Sequence, residues 1–205
     1  MSQPDFSPSA ERNKQPILDV LLRVLPEQGT ALEIASGTGQ HVQWFAQHLP
    51  QWTWQPTEAQ PEALRTIELR VAQAELRNVL NPMQLDVLSE PWFAPAAQMP
   101  AFDLIFCANM LHIAPWEAGL ALLRGSVRHL APGGRLVTYG PYFESDVPPA
   151  PSNVAFDQSL RERDPSWGIR LRQDVEQAAA HAGLLLHARH AMPANNSLLV
   201  WGRAD

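Results

Sequence analysis

The chain has 205 residues, enough for one domain with a sizeable core. At 45% hydrophobic and 18% charged, its composition is that of an ordinary globular protein, which excludes a disordered or fibrous chain. A formal net charge of −6 excludes an overall field that would hold it on nucleic acid or an anionic membrane, and no apolar stretch approaches a membrane span.

The N-terminus lacks a signal-peptide core and a single cysteine, Cys107, permits no intramolecular disulfide, so the expected compartment is the cytoplasm. In chain order, Pro16 opens a helix with apolar positions at Ile17, Leu18, Leu21, Val24 and Leu25, closed by Pro26 and Gly29. Strand one is 31–35, and a glycine turn at Gly37 and Gly39 leads into a helix ending near Pro50. Residues 52–58 read as a second strand, and Pro61 starts a helix with Leu64, Ile67, Val71 and Ala74 on one face. Strand three is 83–87. Strand four, 102–108, is apolar enough to be buried on both faces, which makes Cys107 a buried, inert thiol. Pro115 begins a helix striped by Trp116, Leu120, Leu123, Val127 and Leu130, and 135–139 is a fifth strand. Residues 141–168 show no periodicity and form a long excursion. A helix around 174–182 ends at Gly183, and 184–186 and 197–201 supply two closing strands. Strands separated by helices predict a doubly wound α/β sheet with right-handed crossovers in one domain, 1–205.

The chemistry centres on Glu33-Ile34-Ala35-Ser36-Gly37-Thr38-Gly39. A strand that breaks on glycines into a helix lets backbone approach a nucleotide-like ligand. A dinucleotide turn needs a small third position, where this chain has Val42, and no Gly-Lys-Ser/Thr cradle is present. Glu33 would repel a pyrophosphate. These residues disfavour a nicotinamide oxidoreductase and favour a ligand without phosphate that carries net positive charge, such as S-adenosylmethionine. Glu33-x-Ala35-x-Gly37-x-Gly39 resembles the first motif of class I methyltransferases, with alanine in place of the first glycine.

Glu58 ends strand two at about the spacing of a ribose-binding carboxylate from the glycine turn. Asp86 and Val87, at the end of strand three, match the family's adenine-binding positions. Asn109 and His112 follow strand four, where an acceptor must lie; Asn109 is a candidate partner of the methionine moiety and His112 a candidate general base. The other histidines lack metal-ligand spacing and read as surface or capping residues, so no metal site is expected.

Three further segments sharpen the resemblance: Ser7-Pro8-Ser9-Ala10-Glu11-Arg12-Asn13-Lys14, residues 152–170, and Met192-Pro193-Ala194-Asn195-Asn196. Together they look like the class I methyltransferase-like family that includes methyltransferase-like protein 26. The likeness runs over essentially the whole chain. It implies a seven-stranded sheet with the last strand antiparallel, S-adenosyl-L-methionine as cofactor, and an N-terminal segment 1–15 folded over it, with Arg12 or Asn13 meeting the methionine carboxylate. Residues 141–168 have the composition of a lid. Tyr142, Asn153, Asp157, Arg161 and Asn195 are candidate substrate contacts, although Asn195-Asn196 reads better as a hairpin turn. Phe156, Leu160 and their neighbours also read as a short helix packed on the sheet with Arg161 and Asp164 paired on its surface, a reading compatible with those contacts. The expected activity is methyl transfer to a small-molecule acceptor, with no nucleic acid or membrane partner. The alternatives are a non-catalytic S-adenosylmethionine-binding interaction protein and a protein methyltransferase.

Overall fold

A computed structural model describes residues 4–94 and 99–204; of the cover segment 1–15, residues 1–3 lie outside the described residues. Seven strands form one sheet in the order β3-β2-β1-β4-β5-β7-β6. These are β1 (Gly29–Ile34), β2 (Trp52–Glu58), β3 (Met83–Gln84), β4 (Phe102–Ala108), β5 (Leu130–Pro141), β6 (Leu184–Met192) and β7 (Asn196–Arg203). Strand β7 alone runs antiparallel, pairing with β5 on one side and β6 on the other. The sheet therefore has the predicted architecture.

Both faces of the sheet are covered. Helices α1 (Pro8–Val24), α2 (Gln40–His48) and α3 (Pro61–Gln73) pack one face through Ile17, Leu21, Val42, Phe45 and Ile67. Helices α4 (Trp116–His129) and α6 (Arg172–Ala182) cover the other through Ala118, Leu122, Val175 and Ala179. Along β4, Leu104 and Phe106 join the first core while Ile105 and Cys107 join the second, the period-two burial of a central strand. Helix α5 (Pro151–Arg163) lies within the excursion after β5. No helix among the described residues is long and apolar enough to cross a membrane.

Several elements differ from the sequence reading. Helix α1 begins at Pro8, with the Ser7 hydroxyl accepting the Ala10 N–H at 3.2 Å, so Pro16 is interior. An interior proline removes a helical hydrogen bond. Burial of Ala10, Asn13, Ile17, Leu18 and Leu21 along one face carries the helix through it. Strand β3 keeps only Met83–Gln84 rather than running to Val87, because Asp86 draws the chain into a turn by accepting the Leu88 N–H at 2.9 Å. The stripe on α4 is rotated. Small residues, Ala118, Gly119, Ala121, Gly125 and Ser126, lie buried beside Leu122 and Leu123, whereas Trp116 and Leu120 are half-buried at the helix flank. Close packing of a helix on a sheet selects small side chains, which an apolar count undervalues.

The strand order reverses between β1 and β4, and an open α/β sheet has its ligand crevice at the carboxyl ends of such strands. Both loops singled out from the sequence, 35–39 after β1 and 109–112 after β4, lie there.

Candidate functional site

The loop after β1 has positive φ at alternate residues: 55° at Ala35, 55° at Gly37 and 73° at Gly39. It is stitched to β2. The Ser36 N–H donates to the Thr57 carbonyl at 2.9 Å, and the Thr57 N–H returns to the Ser36 hydroxyl at 3.2 Å. A Cβ on Gly39 would meet Ile67 Cα at 3.3 Å, so glycine here lets α3 pack against the turn. Ala35 holds the left-handed conformation without being glycine, at about 1–2 kcal/mol of strain. Glycine there would relieve that strain against about 0.5–1 kcal/mol of added unfolded-chain entropy. Ala35→Gly is therefore expected to raise the melting temperature by about 1–3 °C in a thermal unfolding scan.

Three acids surround this turn. The Glu58 carboxylate accepts the Gly37 N–H at 2.8 Å and the Ala59 N–H at 2.9 Å, which fixes it against the glycine loop. The Leu85 N–H donates to the Glu58 carbonyl at 3.0 Å, so the loop carrying Asp86 runs beside it. Asp86 itself is exposed; Val87 is buried, and its carbonyl accepts the Trp92 indole N–H at 3.1 Å. Glu33 is 1% exposed and its Oε2 has no hydrogen-bond partner among the described residues. Burial, opposed by the Ser36 hydroxyl and reinforced by the charge of Glu58, pushes its carboxyl up to about 8. A carboxyl in this state is a proton-holding group until a cation replaces the proton.

Opposite the turn, Asn109 stands at φ 64° and donates its N–H to the Tyr139 carbonyl at 2.8 Å, bringing the β4 and β5 loops together. His112 is 1% exposed, with neither ring nitrogen bonded among the described residues. Its ring meets Tyr142 edge to face at 5.2 Å and presses on Gly140, where an added Cβ would lie 2.3 Å from Nε2. Burial, with a smaller push from Arg170, lowers its pKa to about 3, so the imidazole is neutral. That is the protonation state a general base needs.

The N-terminal segment covers the turn through contacts the sequence reading missed. The Gln40 side-chain carbonyl accepts the Ser7 N–H at 2.6 Å and the Thr38 hydroxyl at 3.0 Å, while its amide donates to Glu11 at 2.9 Å. Arg70 donates to the Thr38 carbonyl at 2.7 Å and the Asp5 carbonyl at 2.5 Å. Neither residue belongs to a recognisable motif; their roles arise from contacts 29 to 65 positions apart. His41 is not a surface residue: it is buried, held by Asn13 Oδ1 at 2.6 Å, and its pKa falls to about 4 through burial. Asn13 thus holds α1 to α2, and exposed Arg12 reaches the Ser9 hydroxyl at 3.3 Å.

The residues read as acceptor contacts are engaged internally. Tyr142 is buried and donates to Thr138 at 3.0 Å, with burial raising its pKa. Asn153 donates to the Asn195 carbonyl at 3.1 Å, and Asn195 returns a bond to Ser152 at 3.2 Å. Ala194 and Asn195 take φ of 56° and 57° in the β6–β7 hairpin, so the turn reading holds. Asp157 accepts from Arg161 at 2.8 Å and from the Ile169 N–H at 2.7 Å, clasping α5 to the segment beyond it. Burial raises the Cys107 thiol pKa, as expected of an inert residue.

Solved structures share this fold. An O-methyltransferase family protein from Burkholderia thailandensis superposes with a TM-score of 0.79 at 18% identity, over 96% of this chain and 57% of that one. An O-methyltransferase family 2 protein from Planctomyces limnophilus DSM 3776, in complex with apigenin, gives 0.78 at 18%, over 96% and 60%. Human N-acetylserotonin methyltransferase in complex with SAM gives 0.76 at 16%, over 96% and 53%. This chain spans a little over half the length of each. At this identity the likeness establishes the Rossmann-like methyltransferase fold. A family model described as "Protein of unknown function (DUF938)" matches residues 4–203, so the chain belongs to that family.

Proposed function

We propose that this protein is an S-adenosylmethionine-dependent methyltransferase acting on a small-molecule acceptor. The observation that carries the reading is Glu58, bonded to the Gly37 N–H at the switch point with the Asp86 loop alongside. The buried Glu33 carboxyl, whose Oε2 has no hydrogen-bond partner among the described residues, fits a ligand of net positive charge and does not fit a pyrophosphate. Glu58 would accept the ribose hydroxyls, Asp86 and Val87 would flank the adenine, and Arg12 and Asn109 would meet the methionine end. When bound, the cofactor supplies an electrophilic methyl group. The chain's own task is to orient the acceptor, exclude water and take the acceptor proton on neutral His112. The sequence resemblance to the family that includes methyltransferase-like protein 26 is part of this proposal, and the fold shared with solved methyltransferases supports it.

Calorimetric titration with S-adenosylmethionine, S-adenosylhomocysteine and NAD tests it. The first two are expected to bind and NAD to fail; tighter NAD binding would overturn the assignment. Glu58→Ala and Asp86→Ala are each expected to weaken S-adenosylmethionine binding by about tenfold or more, the value of one to two lost hydrogen bonds to a charged group. Unchanged affinity in both variants would sink the residue assignment.

One observation favours a second reading, a non-catalytic binder: His112 is closed off at 1% exposure. Release of S-adenosylhomocysteine during incubation with fractionated metabolites distinguishes the two, since a binder forms none.

A further inference from the structure

A groove of about 740 Å³ runs along the seam between α4 and α6, within the range of small-molecule sites. Its origin lies in two helix faces. Helix α4 presents Trp116, Leu120 and Arg124 at four-residue spacing, the stripe that the sheet does not bury. Helix α6 faces them with Ala178 and Ala182, whose methyl groups are too short to fill the seam. Phe143 and Ile169 add apolar wall, and Arg170 and Arg161 stand at the same opening.

The lining is cationic in a chain whose net charge is −6. Three arginines contribute to it against one carboxylate, Asp174. Of the three, only Arg161 is ion-paired among the described residues, to Asp157 at 2.8 Å. Arg124 makes no ion pair among the described residues, and Glu90, whose pKa its charge helps to lower, bonds Arg128 instead at 2.7 Å. Arg170 donates to three carbonyls, Leu111 at 2.9 Å, Ala114 at 2.7 Å and Ser166 at 2.9 Å. These contacts fix the guanidinium without neutralising it. Its face lies 5.6 Å from the Trp116 ring. The Arg124 and Arg170 guanidiniums have no direct ion-pair partner among the described residues and feel Asp157, Glu117 and Glu90 only at longer range. Such a positioned pair beside an aromatic and aliphatic channel matches an anion with an apolar body.

We propose that the α4–α6 groove binds a small carboxylate or phosphate ester with an aromatic or aliphatic body, at a site separate from the glycine turn. Trp116, Leu120, Ala178 and Ala182 take the body, and Arg124 and Arg170 take the anion. The occupant is coupled to the rim, because Arg170 also holds the carbonyls of Leu111 and Ala114 on either side of His112.

The test uses 2-naphthoate, 2-naphthyl phosphate and neutral 2-naphthylmethanol, titrated by calorimetry into the wild type, Arg124→Gln and Ala178→Trp, with thermal scans to verify folding. At least one anion is expected to bind about tenfold more tightly than the alcohol, Arg124→Gln to remove most of that advantage, and Ala178→Trp to abolish binding by filling the seam. Which anion binds better assigns the headgroup. No anion binding at millimolar concentration, equal affinity for the alcohol, or unchanged affinity in both variants would overturn the site. Displacement of the probe by S-adenosylhomocysteine would place it at the glycine turn and overturn the proposal as well. The variant arms need no cofactor, so they decide the matter even if the methyltransferase reading fails.

Discussion

Glu33→Gln is expected to weaken S-adenosylmethionine binding by about tenfold or more at pH 8 and by much less at pH 6. The wild-type carboxyl titrates near pH 8 because burial penalises its charged form. A cationic ligand binds the ionised form better and so expels the proton, and each pH unit below that value reduces the available carboxylate about tenfold. Glutamine cannot ionise. The ratio of wild-type to variant affinity therefore rises with pH up to about 8 and then levels, a comparison that cancels titration of the ligand's own amine. Stability without ligand moves the other way. The folded protein keeps a proton that the unfolded chain releases near 4.5, so the contribution of Glu33 to stability falls as pH rises from there to about 8 and is flat above. Within that window the loss is on the order of 1 kcal/mol per pH unit. Urea denaturation at pH 6 and pH 9 is expected to show Glu33→Gln gaining relative to the wild type. A constant affinity ratio between pH 6 and 8 would show that Glu33 does not face the cation.

The second large effect concerns Gly140. Its φ of 158° and the position of His112 leave no room for a side chain: an alanine Cβ would sit 2.3 Å from Nε2 and 2.6 Å from Cδ2. The imidazole is hemmed in by Tyr142, so it cannot turn aside freely. Gly140→Ala is expected to destabilise the protein by about 1–3 kcal/mol through overpacking and, with His112 as the proposed base, to lower turnover about a hundredfold by displacing its ring. Gly29→Ala supplies the control. Its Cβ would fall 2.8 Å from Trp52 Cη2, at the start of β1 and so at the opposite end of the strand from the glycine turn. It is expected to lower the melting temperature comparably while leaving turnover per folded molecule intact. If Gly140→Ala turned over at the wild-type rate, His112 would not be the base.

The architecture was legible because it is written in local signals. The apolar run 102–108, proline-led helices at 61 and 115, and glycine after the last helix all act within a few residues. Position of the acids was legible too, since Glu58 ends β2 and Glu33 lies one residue from the end of neighbouring β1, opposite Pro56. What the sequence concealed was contact across distance. Tyr142, Asn153 and Asp157 have the chemistry of substrate ligands, yet Asn153 is engaged by Asn195 at 42 positions' separation, Asp157 by Ile169 at 12 and Tyr142 by Thr138 at 4. His41 carries no spacing signal for burial and is buried because Asn13 reaches it across the α1–α2 seam. Helix α4 differs from the sequence reading for a steric reason: its alanines and glycines pack the sheet beside Leu122 and Leu123, while Trp116 and Leu120 line the groove.

The knot of bonds around the glycine turn bears on how separable the motif is from its host. Thr38 is held by Arg70, Arg70 reaches back to Asp5, and Gln40 receives Ser7 and grips Glu11. The loop's shape is thus owned jointly by α1, α2 and α3, and a fragment carrying residues 29–48 alone would contain every motif residue of the turn without its geometry. Grafting the turn onto another sheet would transfer its letters and leave its anchors behind. Ligand binding at this turn is consequently a global readout: it reports that the N-terminal helix has docked and that the first half of the sheet is assembled.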